Sequence, residues 1–248
     1  MPDELTDFGL TKVPIADKAR RVADVFRSVA GKYDLMNDLM SLGSHRLMKR
    51  FAVELTAVRP GDTVLDLAGG TGDMTALLSP LVGDKGQVIL CDINSAMLET
   101  GRDRLLDQGL VGNIEYVQGD AEQLPFAAGQ FNAITIAFGL RNVTDKLQAL
   151  TDMLRVLKPG GRLVILEFSH ARHPMIKSAY QAFASFWPQV GKVITGDRDS
   201  YQYLVESIRV HPDQDTLKAM MEDAGYKLVS YHNLADGIAA IHIGVKGD

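Results

Sequence analysis

The chain reads as an α/β protein with a doubly wound, mostly parallel sheet. Three observations predict this. Short apolar strand segments alternate with helical ones from Thr63 onward, a glycine-rich turn directly follows the first strand, and two closing strand segments have no helix between them. Repeated βα units imply parallel strands joined by right-handed crossovers, with helices on both faces. Two strands joined without a helix make a hairpin, so one strand of the sheet is antiparallel.

The elements follow in order. Residues 1–60 are expected to form a helical N-terminal lid and substrate segment, and residues 61–248 the ligand-binding domain. Val22, Val25, Phe26 and Val29 fall at i, i+3, i+4 and i+7, one face of a helix. Gly31 and a polar turn with Asn37 and Asp38 follow. A second helix carries Leu47, Phe51 and Leu55 at spacing four, and Arg59-Pro60-Gly61-Asp62 ends it. Strands are expected at 63–67, 87–91, 114–117, 133–137 and 162–168, with helices at 96–106 and 147–157. A helix at 216–224 and strands at 227–231 and 238–245 close the chain. A helical insertion at about 170–212 interrupts this rhythm. Its candidate helix, 175–187, sets Tyr180, Phe183 and Trp187 on one face with Phe186 adjoining. Those rings either pack on the sheet, as burial preferences favour, or line an apolar substrate channel.

Composition narrows the classes. Hydrophobic residues make up 46% and charged residues 23% of 248, an ordinary balance for a globular enzyme. No apolar run approaches the roughly 20 residues of a membrane-spanning helix. The polar, acidic start Met1-Pro2-Asp3-Glu4 is unlike a signal or transit peptide. The single cysteine, Cys91, excludes an intrachain disulfide and fits a reducing cytoplasm. A net charge of −5 argues against a broad nucleic-acid-binding face.

Asp66-Leu67-Ala68-Gly69-Gly70-Thr71-Gly72-Asp73 ends the first strand and opens a helix, the edge at which open α/β sheets bind ligands. Asp92 ends the second strand, 20 positions after Gly72, where an acid can reach a ribose hydroxyl. A dinucleotide would place its pyrophosphate at the helix N-terminus. Asp66 and Asp73 flank that turn and would repel it, whereas both suit the ammonium and sulfonium charges of S-adenosylmethionine. Asp73 also has a purely structural use, as a first-turn acid worth about 0.3–1 kcal/mol to its helix. Gly119-Asp120-Ala121 adds a further acid past the third strand.

These features resemble class I methyltransferases, whose seven-stranded sheet has its last strand antiparallel. The resemblance implies that Asp66, Gly69, Gly70 and Thr71 surround the methionine part of S-adenosyl-L-methionine, Asp92 the ribose, and Asp120 with Ala121 the adenine. Two longer segments, 25–45 (beginning Val25-Phe26-Arg27-Ser28) and 155–169 (beginning Arg155-Val156-Leu157-Lys158), are similar to the signatures of the ubiquinone and menaquinone biosynthesis C-methyltransferases. Phe138-Gly139-Leu140-Arg141-Asn142 and Asp199-Ser200-Tyr201-Gln202-Tyr203-Leu204 match that family too. Two positions depart from it. Met48 stands where the family usually has Trp, and Ala137 where it has Ser or Thr, so a cofactor contact at Ala137 must use backbone.

The chemistry implied is C-methylation of a polyprenyl quinol. Its demands are orientation of two reactants and removal of protons, and no metal is called for. Arg141 and Asn142, after the fourth strand, are expected to polarise a quinol oxygen and hold a water that accepts the proton. Their bland alternative is a loop cap and a surface ion pair. Tyr33 is expected to close over the ring as part of the lid, or else to pack in the core. A nucleic-acid methyltransferase is disfavoured by charge and by Phe138-Gly139 where an Asn/Asp-Pro-Pro-Tyr motif would stand. Cys91, beside the ribose acid, is badly placed as a nucleophile. A small-molecule O-methyltransferase would share every cofactor motif. A cytoplasmic enzyme with a bilayer-resident substrate must visit the inner membrane surface, and His45, Arg46, Lys49 and Arg50 are candidates for that contact. A homodimer or a quinone-biosynthesis complex is compatible with this reading.

Overall fold

The computed structural model describes residues 5–29, 41, 43–194 and 198–248. It corrects the expectation of helix at the very start. Strands β1 (Leu5–Phe8) and β2 (Thr11–Pro14) pair antiparallel, Phe8 opposite Thr11. Gly9 takes the left-handed conformation (φ +59°) that this tight turn needs. The hairpin exists because it has something to cover. Val13 is buried, and Phe8 stacks on Tyr203 with ring centroids 4.4 Å apart. Helix α1 (Ile15–Val29) follows as expected, although the side chains of Phe26 and Val29 lie outside the described residues. Helix α2 (Ser44–Thr56) also forms, but its buried face is not the predicted stripe. Leu47 is 69% exposed, and Ala52 and Val53 pack into the core with Phe51 and Leu55 at its edge. His45 and Lys49 are buried, which leaves only Arg46 and Arg50 of the expected basic run on the surface.

The βα rhythm is then regular. It runs β3 (Thr63–Leu67), α3 (Asp73–Val82), β4 (Gln87–Asp92), α4 (Ser95–Asp107), β5 (Ile114–Gln118), β6 (Phe131–Ala137), α5 (Lys146–Val156) and β7 (Leu157–Phe168). After the insertion helices α6 (Pro174–Ile194) and α7 (Arg198–Val210) come α8 (Gln214–Asp223), β8 (Lys227–Leu234) and β9 (Ala239–Val245). One seven-stranded sheet results, in the order β5-β4-β3-β6-β7-β9-β8. Only β9, the last strand of the chain, runs against its neighbours.

The central strands are near-continuous apolar runs because both their faces are covered. Leu65, Leu67, Ile89, Ile134 and Ile165 face α5 and α8, while Val64, Val88, Ala133, Val164 and Leu166 face α2 and α3. The order of connection reverses between the parallel neighbours β3 and β6, so the segments leaving their carboxyl ends run to opposite sides and leave a crevice. The aromatic face of α6 does not pack on the sheet. Ala184 and Trp187 instead form a separate cluster with Tyr201, Leu204 and Val205 of α7.

Candidate active site

A cavity of about 320 Å³ opens at that crevice. Its wall takes Leu67 and Ala68 from the end of β3, Asp92 from β4, Asp120 and Ala121 after β5, and Ala137 and Phe138 from β6. Gly70 and Asn142 complete that edge, and Ile15, Ala16, Val22 and Ala23 of α1 cover it. Asn94 Nδ2 donates to the Ala23 carbonyl (3.3 Å) and Lys18 Nζ to that of Val143 (3.4 Å), so α1 is tied down on both sides.

The rim is built from backbone that ordinary residues rarely adopt. Ala68 (φ +51°) and Phe138 (φ +56°), at the ends of adjacent strands, are both left-handed. The chain turns sharply there, and Gly139 fits against Ala68 because a Cβ at Gly139 would lie 2.6 Å from that of Ala68. Gly101 of α4 has a similar reason, since its Cβ would lie 2.6 Å from the Gly70 carbonyl oxygen. No periodicity in the sequence singles out either glycine.

The predicted cofactor residues divide into two groups. Gly70, Asp92, Asp120, Ala121 and Ala137 line the cavity; Asp66, Gly69 and Thr71 stand behind it. Asp92 accepts hydrogen bonds from the Gly70 amide (3.0 Å) and the Asn94 amide (2.9 Å). Burial pushes its carboxyl up to about 6 against those bonds. Asp120 accepts from the Glu122 amide (2.9 Å), which fixes its loop. Asp66 is fully buried. Thr75 donates to it through amide (2.9 Å) and hydroxyl (2.7 Å), and Thr135 through its hydroxyl (3.1 Å). Burial raises Asp66 to about 6 despite them. The Gly69 amide donates to the Cys91 carbonyl (3.2 Å), and Thr71 accepts from Arg104 through its carbonyl (3.2 Å).

Contrary to expectation, the acids of the turn itself offer no free charge to a ligand. Asp73 is paired with Lys49 (2.6 Å) and Arg104 (2.5 Å), which hold it down to about 2 although burial alone would raise it. Asp73 and Asp66 are therefore committed to the fold. The charge that faces a ligand is on the cavity wall, where Asp92, Asp120 and Glu122 are acidic and no described wall residue is basic. Such a wall suits a cationic ligand and repels a pyrophosphate. Cys91 is buried, and burial with the Asp92 charge beside it pushes its thiol up to about 12, far from a nucleophile's range.

Arg141 is neither a surface ion pair nor a cavity wall residue. It lies 5% exposed with Nη1 donating to Glu167 (2.8 Å) and to the Phe138 carbonyl, and its amide donates to the other Glu167 oxygen (3.1 Å). Its guanidinium lies 5.6 Å over the Phe168 ring. Glu167 lies within the 155–169 segment, and no role was expected of it, because its partner comes from another element. Asn142 does line the cavity, and its Oδ1 accepts from the Tyr203 hydroxyl (3.0 Å). Tyr203 in turn supports Phe8, so the unpredicted hairpin and α7 orient this amide together. Tyr33 lies outside the described residues.

Comparison with known proteins agrees with this architecture. The model of the ubiE/COQ5 methyltransferase family matches residues 15–246. A ubiquinone/menaquinone biosynthesis C-methyltransferase UbiE of Ectopseudomonas mendocina is 60% identical over 97% of this chain and 94% of its own. One of Pseudomonas putida strain W619 is 61% identical over the same shares. A SAM-dependent methyltransferase from Aquifex aeolicus has the same fold, with a TM-score of 0.60 at 19% identity over 86% of this chain and 96% of that one. The chain belongs to the ubiE/COQ5 methyltransferase family.

Proposed function

We propose that the protein methylates a ring carbon of a polyprenylated quinol from S-adenosylmethionine, the acceptor being a demethylmenaquinol, a methoxy-polyprenyl-benzoquinol or both. The observation that carries this is the acid-lined crevice at the sheet's switch point in a chain of this family. The wall fits the cofactor residue by residue. Asp92 keeps lone pairs beyond those used by Gly70 and Asn94 and would accept from ribose hydroxyls. The Asp120–Ala121 loop would meet the adenine, and Gly70 allows close backbone approach. When bound, S-adenosylmethionine supplies an electrophilic methyl on a positively charged sulfur.

The protein's contribution to the acceptor is orientation and proton handling. Holding two reactants in line is worth up to roughly 7–11 kcal/mol. Arg141 cannot act as the base, because a guanidinium stays protonated. Its charge is balanced by Glu167 and it stands behind the cavity wall, so its proposed role is to hold the Phe138–Asn142 rim that faces a quinol oxygen. Asn142 has its oxygen engaged by Tyr203, so its amide N–H groups are left to hold that oxygen or a water receiving the proton. Tyr33 is proposed to close over the ring.

Access to a bilayer-resident substrate is proposed to run through α6. No helix among the described residues is long and apolar enough to cross a membrane. On α6, Met175 is 75% and Phe186 62% exposed, and its sequence contains no acidic residue. An apolar, acid-free helix face suits the interfacial layer of an anionic membrane. The pathway is tested by quinone profiling after deletion of the gene. A precursor lacking the ring methyl should accumulate, and an unchanged quinone pool would refute the assignment.

A further inference from the structure

A second cavity, of about 290 Å³, lies beyond the end of β7, near the lower limit for a pocket that takes a small organic molecule. Its walls include Phe168 and Ser169 at the end of that strand, Tyr180, Phe183 and Trp187 of α6, and Val205 of α7. Phe168 meets Phe138 of the first cavity at 4.7 Å between ring centroids, and Arg141 lies over the Phe168 ring. Side chains thus stand between the two spaces. A ligand held here does not reach the methyl donor and takes no part in the transfer.

Charge separates the two cavities. The first has acids and no base among its described wall residues, whereas the second has Lys177 and Arg209 and no described acid. Both cations are exposed, and neither has an ion-pair partner among the described residues. Two further wall residues carry unmatched polar atoms. Ser169 is 5% and Trp187 8% exposed, yet Ser169 Oγ and Trp187 Nε1 have no hydrogen-bond partner. Buried donors of this kind are normally satisfied. The indole N–H only donates, so it requires an acceptor. Burial pushes the Tyr180 hydroxyl up to about 12, so it adds a donor and no negative charge. We infer that this cavity binds a small aromatic carboxylate as a second, non-reacting ligand. Its carboxylate would pair with Lys177 and Arg209, its ring lie among Phe168, Tyr180, Phe183 and Trp187, and a further oxygen substituent meet Trp187 Nε1 and Ser169 Oγ. A polyprenyl tail would suit the rings but leave the buried donors and both cations unanswered. A lipid phosphate would answer the cations, whereas ring faces on several sides favour a flat body over a flexible chain.

Trp187 is the only tryptophan of the chain, so its emission reports on this cavity alone. The full-length protein is titrated with a hydroxynaphthoate whose hydroxyl and carboxylate lie at opposite ends, with absorbance correction, and calorimetry repeats the titration. Saturable quenching is expected, and the uncharged methyl ester should bind roughly tenfold or more weakly. Lys177→Gln together with Arg209→Gln should cause a loss of the same order. Both side chains are exposed, so the melting temperature of that variant should stay near the parent's. Ser169→Ala should weaken binding roughly tenfold, and saturating S-adenosylhomocysteine should not displace the probe. Quenching that stays linear in probe, an ester that binds as well as the acid, or displacement by S-adenosylhomocysteine would overturn the inference. Tighter binding of monomeric dihexanoyl-phosphatidylglycerol than of the probe, lost in the Lys177→Gln, Arg209→Gln variant, would also overturn it and assign the cavity to a lipid headgroup. Quinol turnover enters none of these readouts, so the site and the reaction stand or fall separately.

Discussion

Asp92 is where the cofactor reading is most exposed to test, because it is both buried and aimed at the ligand. Its carboxyl is pushed up to about 6 in the folded protein, above its unfolded value near 4. The folded state thus holds the proton more tightly, and this group's contribution to stability is lost as pH rises through about 6. Cofactor affinity should run the other way, since ribose hydroxyls bond best to the ionised form. Calorimetry on either side of that pH should show weaker S-adenosylmethionine binding on the acid side. Asp92→Asn should weaken binding about tenfold or more and flatten the profile, with Asp66 accounting for the remainder. At Arg141, the Glu167 pair dictates the experiment. Arg141→Ala leaves a buried carboxylate unpaired, a loss of about 3–5 kcal/mol that would obscure any kinetic role. The double variant Arg141→Gln with Glu167→Gln removes both charges together. It should fold near the parent while turnover of a short-tailed quinol falls roughly 10²-fold at unchanged cofactor affinity. Normal turnover in that variant would take Arg141 out of the chemistry. The sequence located Arg141 correctly at the carboxyl edge of β6. It could not show that a strand residue 26 positions away neutralises it, because strand pairing is a property of the fold.

At the scale of elements, the alternating strands and helices were legible because each repeats a pattern along the chain. Several element edges carry a local signal, such as Gly72 before α3, Gly83 after it and Asp145 before α5. The β1–β2 hairpin was not legible. Its strands are four residues each and are held by contacts with α7, such as the Leu10 amide to Glu206 (3.0 Å), which no local pattern encodes. The aromatic face of α6 was legible, but whether it packs on the sheet or lines a channel was left open, because periodicity gives a buried face without naming its partner; part of it packs on α7. The crevice depends on the close approach of the β3 and β6 ends. Gly139→Ala should therefore cost roughly 1–3 kcal/mol, or about 2–4 °C of Tm per kcal/mol at this size, and weaken cofactor binding. Adding Ala68→Gly removes the opposing Cβ and the left-handed strain at once, and should restore most of both. Strictly additive losses in that cycle, read by thermal melts, would refute the steric account.

At the scale of the whole molecule, the acid-lined cofactor crevice and the buried Arg141–Glu167 pair lie at the carboxyl edge of one sheet, and a second, aromatic-walled cavity lies beyond the end of β7. The acid-free helix α6 forms the outer wall. Phe186→Asp, on the exposed face of α6 and away from both cavities, should reduce co-sedimentation with anionic vesicles severalfold. Activity on a soluble short-tailed quinol should be unaffected; vesicle binding equal to the parent's would exclude α6 as the contact. The central claim, that this arrangement moves a methyl group onto quinol carbon, is tested most directly by methyl transfer from isotope-labelled S-adenosylmethionine to a short-tailed quinol. The product is analysed by mass spectrometry and NMR. One labelled methyl per turnover is expected, bonded to a ring carbon in place of hydrogen. Label on a ring oxygen, or cofactor binding with no methyl transferred, would contradict it.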